Sequence, residues 1–477
     1  MKVLNPIQEE SKMQVTRRNF LKAASVVPIG FEGLRQFLET ADASAAEPRA
    51  IGGYGDLVTD PEEILDLPPG FSYTVFSGAG EEMDDGFVVP GGHDGSASFP
   101  GPSAEQTLLV RNHEISSESL PKNGAFGENN ERFEKLKPNR MYDAGNGEWL
   151  ALGGTTTVLY DTRKQKVLDH HLSLAGTLRN CAGGPTPWNS WLTCEETVER
   201  ADETLARDHG YVFEVPATAN HQLANPVPLK AMGRFNHEAV AVDPASGAVY
   251  LTEDRGDGLI YRFLPKHPSK LSQGGNLQAM RAIDRPSLDT RNIEEPAGMP
   301  VRQSIAVDWI DMKDVDGPKD DLRKRGFSAG AMRFARGEGM WYGNKAVFFA
   351  CTNGGPARKG QVFKYTPSPA EGKAGETKRP GQLELYIEPN DGNLVENCDN
   401  VTVAPSGDLV LCEDGSGDQY LVGVTPEGTC YRLGHNAMNK SEFTGATFSP
   451  DGSTMFTNIQ WPGLSLAITG PWKKRKG

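Results

Sequence analysis

From about residue 150 onward, short apolar runs alternate with turns that carry Asp, Pro or Gly. Ala239-Val240-Ala241-Val242 runs into Asp243-Pro244-Ala245-Ser246-Gly247, then Ala248-Val249-Tyr250-Leu251-Thr252, and ends at Glu253-Asp254. The theme returns in Val401-Thr402-Val403, Pro405-Ser406-Gly407 and Leu409-Val410-Leu411-Cys412, ending at Glu413-Asp414. It returns again from Ala446-Thr447-Phe448 to Met455-Phe456-Thr457 and Asn458. Two further second strands fit, Trp191–Cys194 ending at Glu195-Glu196 and Val347–Cys351 ending at Asn353. Several units continue to an aromatic strand, such as Leu259–Phe263 and Gln361–Tyr365. Runs this short between Gly and Pro are strand and hairpin signals. Their recurrence predicts an all-β fold, a β-propeller of about six blades. A two-sheet sandwich is the alternative. Residues 264–330 and 366–382, rich in Pro, Lys and Glu, read as long inserted surface loops with short helices.

Composition narrows the partners. The chain has 477 residues, 37% of them hydrophobic, which is enough for a large core. Its formal net charge of −14 leaves no surplus cation for phosphates along a duplex, which argues against nucleic acid. The same excess of carboxylates suits hard multivalent cations. At the N-terminus, Thr16-Arg17-Arg18-Asn19-Phe20-Leu21-Lys22 reads as a twin-arginine export signal. An apolar stretch, Ala23 to Phe31, and a small-residue cleavage site, Ala43-Ser44-Ala45, follow it; an ordinary amphipathic helix is the alternative. The expected division is a signal peptide at 1–45 and a single propeller domain at 46–477. The twin-arginine machinery would then deliver the folded chain to the periplasm or beyond. No later run has the 18 apolar residues of a stable membrane span. The six Cys contain no CxxC pair, so a zinc ribbon is excluded.

The chain lacks a G-x-S-x-G elbow, a P-loop, an H-E-x-x-H and a dinucleotide fingerprint. What it has is carboxylates beside strand ends. Asn112-His113-Glu114 and Asn236-His237-Glu238 are the same tripeptide. Cys181-Ala182-Gly183-Gly184-Pro185 precedes a turn and then Glu195-Glu196. Arg336 and Glu338 lie two apart, on one face if extended. Asn397-Cys398-Asp399-Asn400 completes the set. On inner strand ends these groups would line a central channel, where like carboxylates repel unless cations neutralise them. Oxygen ligands suit calcium, and a thiolate beside them admits a transition ion. Taken singly, each acid reads equally as a solvated turn residue, and a single Cys as apolar filler.

The block Cys181-Ala182-Gly183-Gly184-Pro185-Thr186-Pro187-Trp188-Asn189-Ser190-Trp191-Leu192-Thr193-Cys194-Glu195-Glu196 resembles the signature of the PhoX family of bacterial alkaline phosphatases. The twin-arginine signal, the two Asn-His-Glu tripeptides and the Arg-x-Glu follow that family's order across roughly residues 60–460. The resemblance implies a six-bladed propeller, a channel cofactor of ferric iron and calcium, and hydrolysis of phosphate esters. Carried over residue by residue, it makes Cys181 an iron ligand. Glu114, Glu195, Glu196, Glu238 and Glu338 become ligands to iron or calcium, and Arg336 binds the substrate phosphate. Asp399 and Asn400 fall in a Pro-Asp-Asn element in which Cys398 replaces the Pro, and they would lie at or beside calcium. Two rival readings keep the acids. One is a calcium-dependent lactonase or phosphotriesterase, which needs no thiolate. The other is a non-catalytic binding propeller, which needs no Arg336.

Overall fold

Each apolar run becomes a strand, paired with its neighbour as a hairpin. Ala239–Val242 lies in strand His237–Val242, which pairs antiparallel with Val249–Glu253 in the register Val242↔Val249. The computed structural model describes residues 53–473, apart from 147–148, 295–297 and 393. The export signal expected at 1–45 lies outside the described residues. The described residues cluster as one compact unit.

Six strands stand innermost, each at the edge of its sheet: β1 (His93–Pro100), β2 (Asn180–Pro185), β3 (His237–Val242), β4 (Gly337–Gly343), β5 (Cys398–Val403) and β6 (Phe443–Phe448). Each packs against the next, and β6 packs back against β1, so the ring closes. From each inner strand a meander runs outward. Behind β1 come Gln106–His113, Gly153–Asp161 and Lys166–Thr177; behind β2 come Ser190–Glu195 and Val212–Pro216. This is the predicted propeller architecture.

Among the described residues, hydrogen bonding gives five sheets. One has nine strands, because the meanders from β3 and β4 join along their outer edges. There Ser304–Asp311 pairs with Gly381–Ile387 in the register Ser304↔Glu384. Two sequence expectations need correction. Residues 264–330 are not simply a loop, since they contain strands Gly275–Ala282 and Ser304–Asp311 and a helix, Leu322–Ser328. The repeats also start before residue 150, with β1 and the strand after it. The final meander, from β6 through Thr454–Ile459 and Leu464–Thr469, takes its outer strand, Ser72–Gly78, from the other end of the chain.

The core lies between the sheets. Leu192, Val212, Val240, Leu251 and Tyr261 fill one junction, and Tyr250, Val347, Phe349 and Phe363 another. Phe349 and Phe363 stack with centroids 5.2 Å apart. Each such side chain contributes about 1.5–3 kcal/mol on burial. This packing holds the inner strands close enough for their first residues to meet.

Candidate active site

Every inner strand carries a β-bulge at its start. In β1 the register jumps from His93↔His113 to Ser96↔Arg111, so Asp94 and Gly95 together oppose Asn112. The same jump falls at Cys181-Ala182, Glu238-Ala239, Glu338-Gly339, Asp399-Asn400 and Gly445-Ala446. A bulge breaks the alternation of a strand and re-aims its side chains. At five of the six bulges the first residue faces the channel with a possible ligand atom: Asp94, Cys181, Glu238, Glu338 and Asp399. The second residue is small in five cases, because neighbouring inner strands touch there. A Cβ at Gly95 would sit 2.5 Å from the Ala182 Cα, and one at Gly339 would sit 2.6 Å from the Asn400 Cα.

A further layer comes from the residue that follows the second strand of each unit. Glu114, Glu196, Asp414 and Gln460 occupy that place and reach the same cavity, of about 130 Å³. Glu442, just before β6, adds another carboxylate, and Arg179 and Arg336 complete the lining. Eight carboxylates and a thiol therefore face two guanidiniums. Possible ligand atoms form three overlapping groups, each within 4.8 Å: Cys181–Glu196–Glu238, Glu238–Glu338–Asp399, and Asp399–Asp414–Glu442. Glu238 and Glu338 are only 2% and 3% exposed, so water does little to screen them.

The electrostatics follow from this crowding. Burial, then Asp399, Glu196 and Asp94, push the Glu238 carboxyl well above the usual range. Burial followed by neighbouring acids does the same to Asp94, Glu338 and Glu442, and raises Asp399 to about 7. Burial and the Glu238 charge raise the Cys181 thiol as well. Either protons or cations must occupy such a cluster at neutral pH.

The two arginines meet the acids at the solvent side. Arg336 donates from Nε and Nη2 to the two oxygens of Asp254, both at 2.9 Å, and its Nη2 lies 2.6 Å from Glu338 Oε1. That last contact is an ion pair without hydrogen-bond geometry, and Glu338 Oε1 accepts no hydrogen bond. Arg179 reaches Glu114 Oε1 at 2.9 Å and also pairs with Glu196. Gln460 Nε2 donates to Asp94 Oδ2 at 3.1 Å and Glu114 Oε2 at 3.0 Å. Asn400 Nδ2 donates to Asp399 at 3.0 Å, while its Oδ1 accepts the Gly445 N–H at 2.6 Å.

Of the residues singled out from sequence, Glu114, Cys181, Glu196, Glu238, Arg336, Glu338 and Asp399 line the cavity, and Asn400 lies beside Asp399. Glu195 does not reach it. Its carboxylate turns to the opposite side of the strand, where it takes the His209 Nδ1 at 2.6 Å and the N–H groups of Leu178, Gly210 and Tyr211. Cys194, read as strand packing, is buried with Leu192 and Val212. Arg336 reaches the cavity by a different route from the expected extended one. It precedes β4 with φ of 53°, in the left-handed region. Asp94, Arg179, Asp414, Glu442 and Gln460 were not singled out. Asp414 stood in the repeated acidic strand end, which was the available signal for it.

The model of the family described as alkaline phosphatase PhoX matches residues 52–463. No curated protein matches the sequence. Among solved structures, Pseudomonas fluorescens PhoX in complex with vanadate, a transition-state analogue, aligns with TM-score 0.63 and 18% identity, over 86% of this chain and 96% of that one. A gluconolactonase from Xanthomonas campestris aligns with TM-score 0.40 and 13% identity, over 88% and 98%. The first supports the propeller fold, and the second is too distant to carry an argument. Because the PhoX match runs through all six inner strands, the chain belongs to the PhoX family of alkaline phosphatases, hydrolases of phosphate esters.

Proposed function

We propose that the acidic cavity is a metal-assisted phosphatase centre, with ferric iron at its thiol end and calcium among its carboxylates. The observation that carries this reading is the imbalance of eight carboxylates and Cys181 against Arg179 and Arg336. The donor set fits those ions. Cys181, Glu196 and Glu238 offer sulfur with oxygen, as a transition ion accepts. The all-oxygen groups Glu238–Glu338–Asp399 and Asp399–Asp414–Glu442 suit calcium. Glu114 and Asp94 lie at the same cavity and would add further oxygen atoms. Glu195 is assigned a positioning role instead, because its oxygens are already taken by His209 and backbone N–H groups.

Bound cations supply Lewis-acid neutralisation of the phosphoryl oxygens. The rest falls to the chain. Arg336 grips the phosphoryl group through its planar fork, which matches phosphate better than an ammonium does. Asp254 holds that guanidinium in place along its Nε–Nη2 edge. Gln460 and Asn400 fix the rotamers of Asp94, Glu114 and Asp399, so that the ligand atoms are organised in advance. Cys181 and the two arginines favour this reading over a calcium-only lactonase, which needs none of them. Residues 1–45 fit delivery to the periplasm by the twin-arginine route.

Elemental analysis and electron-spin spectroscopy of the exported protein, paired with hydrolysis of an aryl phosphate monoester, test the proposal. Iron and calcium should be present, and a strong chelator should abolish turnover. Stoichiometric zinc without iron would overturn it.

A further inference from the structure

The six residues just before the inner strands form a ring of equivalent positions: Gly92, Arg179, Asn236, Arg336, Asn397 and Glu442. Each accepts, at its backbone oxygen, the N–H of the residue that follows the second strand of its own unit. For Arg179 the donor is Glu196, at 2.9 Å; for Arg336 it is Thr352, at 3.0 Å. Only Arg179 and Arg336 in this ring are cationic. Both are left-handed, with φ of 44° and 53°, an unfavoured conformation for a side chain this large. Both stand two residues ahead of a channel-facing bulge residue, Cys181 and Glu338 respectively. Their side chains are similarly accessible, 37% and 35% exposed. Each pairs with two acids, Arg179 with Glu114 and Glu196, and Arg336 with Asp254 and Glu338.

We infer that Arg179 is a second phosphoryl-binding residue, the counterpart of Arg336 two units away around the ring, and that the pair selects phosphate monoesters over diesters. The inference rests on the phosphatase reading above. Cations that take over Glu114 and Glu196 leave the Arg179 guanidinium without its present partners, whereas Arg336 gives up Glu338 and keeps Asp254. Two planar forks beside a cation cluster match a group with three free oxygens and two charges. A diester has two free oxygens and one charge, so it uses one fork well and the other poorly.

The test uses the metal-loaded full-length protein with Arg179→Ala, Arg179→Lys and Arg336→Ala. Metal content, inhibition by inorganic phosphate, and kcat and KM for an aryl phosphate monoester and diester are measured. Arg179→Ala should keep its metals, raise the phosphate inhibition constant and the monoester KM about tenfold, and lower the monoester-to-diester preference. Arg179→Lys should recover only part of this. Arg179→Gln provides the same comparison if the Ala variant fails to fold. If metal is lost in step with phosphate affinity, Arg179 only balances Glu114 and Glu196, and the inference falls. It falls equally if phosphate inhibition is unchanged while the unaltered protein remains active. An unaltered, fully metallated protein that neither hydrolyses monoesters nor binds phosphate would instead overturn the phosphatase reading, and this inference with it.

Discussion

Glu195 and Glu196 are adjacent in sequence and both buried, yet they belong to opposite kinds of environment. Around Glu195 every carboxylate oxygen has partners in the chain. Its Oε1 takes His209 and Leu178, its Oε2 takes Gly210 and Tyr211, and His209 bridges onward to Asp143. Although burial opposes the charge on His209, Glu195 and Asp143 outweigh it and raise that imidazole to about 9. Around Glu196 lie seven other cavity carboxylates and two arginines. One cluster is complete within the chain; the other holds an excess of carboxylates that, in the proposed reading, ions from outside would neutralise. Burial of like side chains therefore says little about role, and the count of internal partners decides it.

The largest break in this comparison should come from the open cluster. Glu238→Gln removes a proposed ligand common to two of the three groups, so metal content should collapse and turnover fall by at least about a thousandfold, roughly 4 kcal/mol in the transition state. The same variant without metal should melt higher than the unaltered metal-free protein, because a repelling carboxylate is gone. A fully active Glu238→Gln protein would remove the cavity from catalysis. Glu195→Gln should do the reverse, costing about 3–5 kcal/mol of folding stability by orphaning a buried partner. Whatever fraction stays folded should keep its metals. Denaturant unfolding with metal analysis separates the two outcomes.

His209 adds a pH signature to the closed cluster. Its folded pKa of about 9 lies above the ordinary 6.5, so its stabilisation is complete below about pH 6.5 and is lost as pH rises through 9. The loss should be on the order of 3 kcal/mol, and His209→Gln should flatten that part of the stability profile. Arg336→Ala should retain metals while lowering monoester turnover about ten- to a thousandfold, or roughly 1.4–4 kcal/mol. Loss of metal in step with turnover would instead make Arg336 a counter-charge. The smallest effect belongs to Cys194→Ala, about 1 kcal/mol of stability with metals unchanged, whereas Cys181→Ser should deplete iron. If Cys194 proved essential for iron, the assignment of Cys181 would be wrong.

Much of this was legible in the sequence because strand ends repeat. Glu114, Glu196, Glu238, Glu338 and Asp399 were recognisable as acids at such ends, and all five reach the cavity. Glu195 was grouped with Glu196 because the sequence gives no sign of which neighbour a strand turns inward. The bulges were invisible for the same reason: one extra residue shifts the alternation without changing composition. Asp94 and Arg179 precede or fall outside the apolar-turn-apolar pattern, and Arg336 arrives through a left-handed residue rather than an extended one. Gly275–Ala282 and Ser304–Asp311 were hidden because outer strands carry polar residues such as Gln278, Arg281 and Asp308.

The pairing of Ser72–Gly78 with Leu464–Thr469 imposes an order on biosynthesis. Ser72 meets Thr469 across a separation of 397 residues. At about 5–20 residues per second, the first of these strands emerges from the ribosome roughly 20–80 s before its partner exists. Until then the ring is open, β1 has no β6 beside it, and Glu442, Asp414 and Gln460 have not joined Asp94 and Glu114. A nascent chain that lacks β6 therefore cannot display the complete acidic cavity. A stalled or truncated product keeps an unpaired sheet edge, which gives the cell's proteases a way to distinguish it from the completed protein.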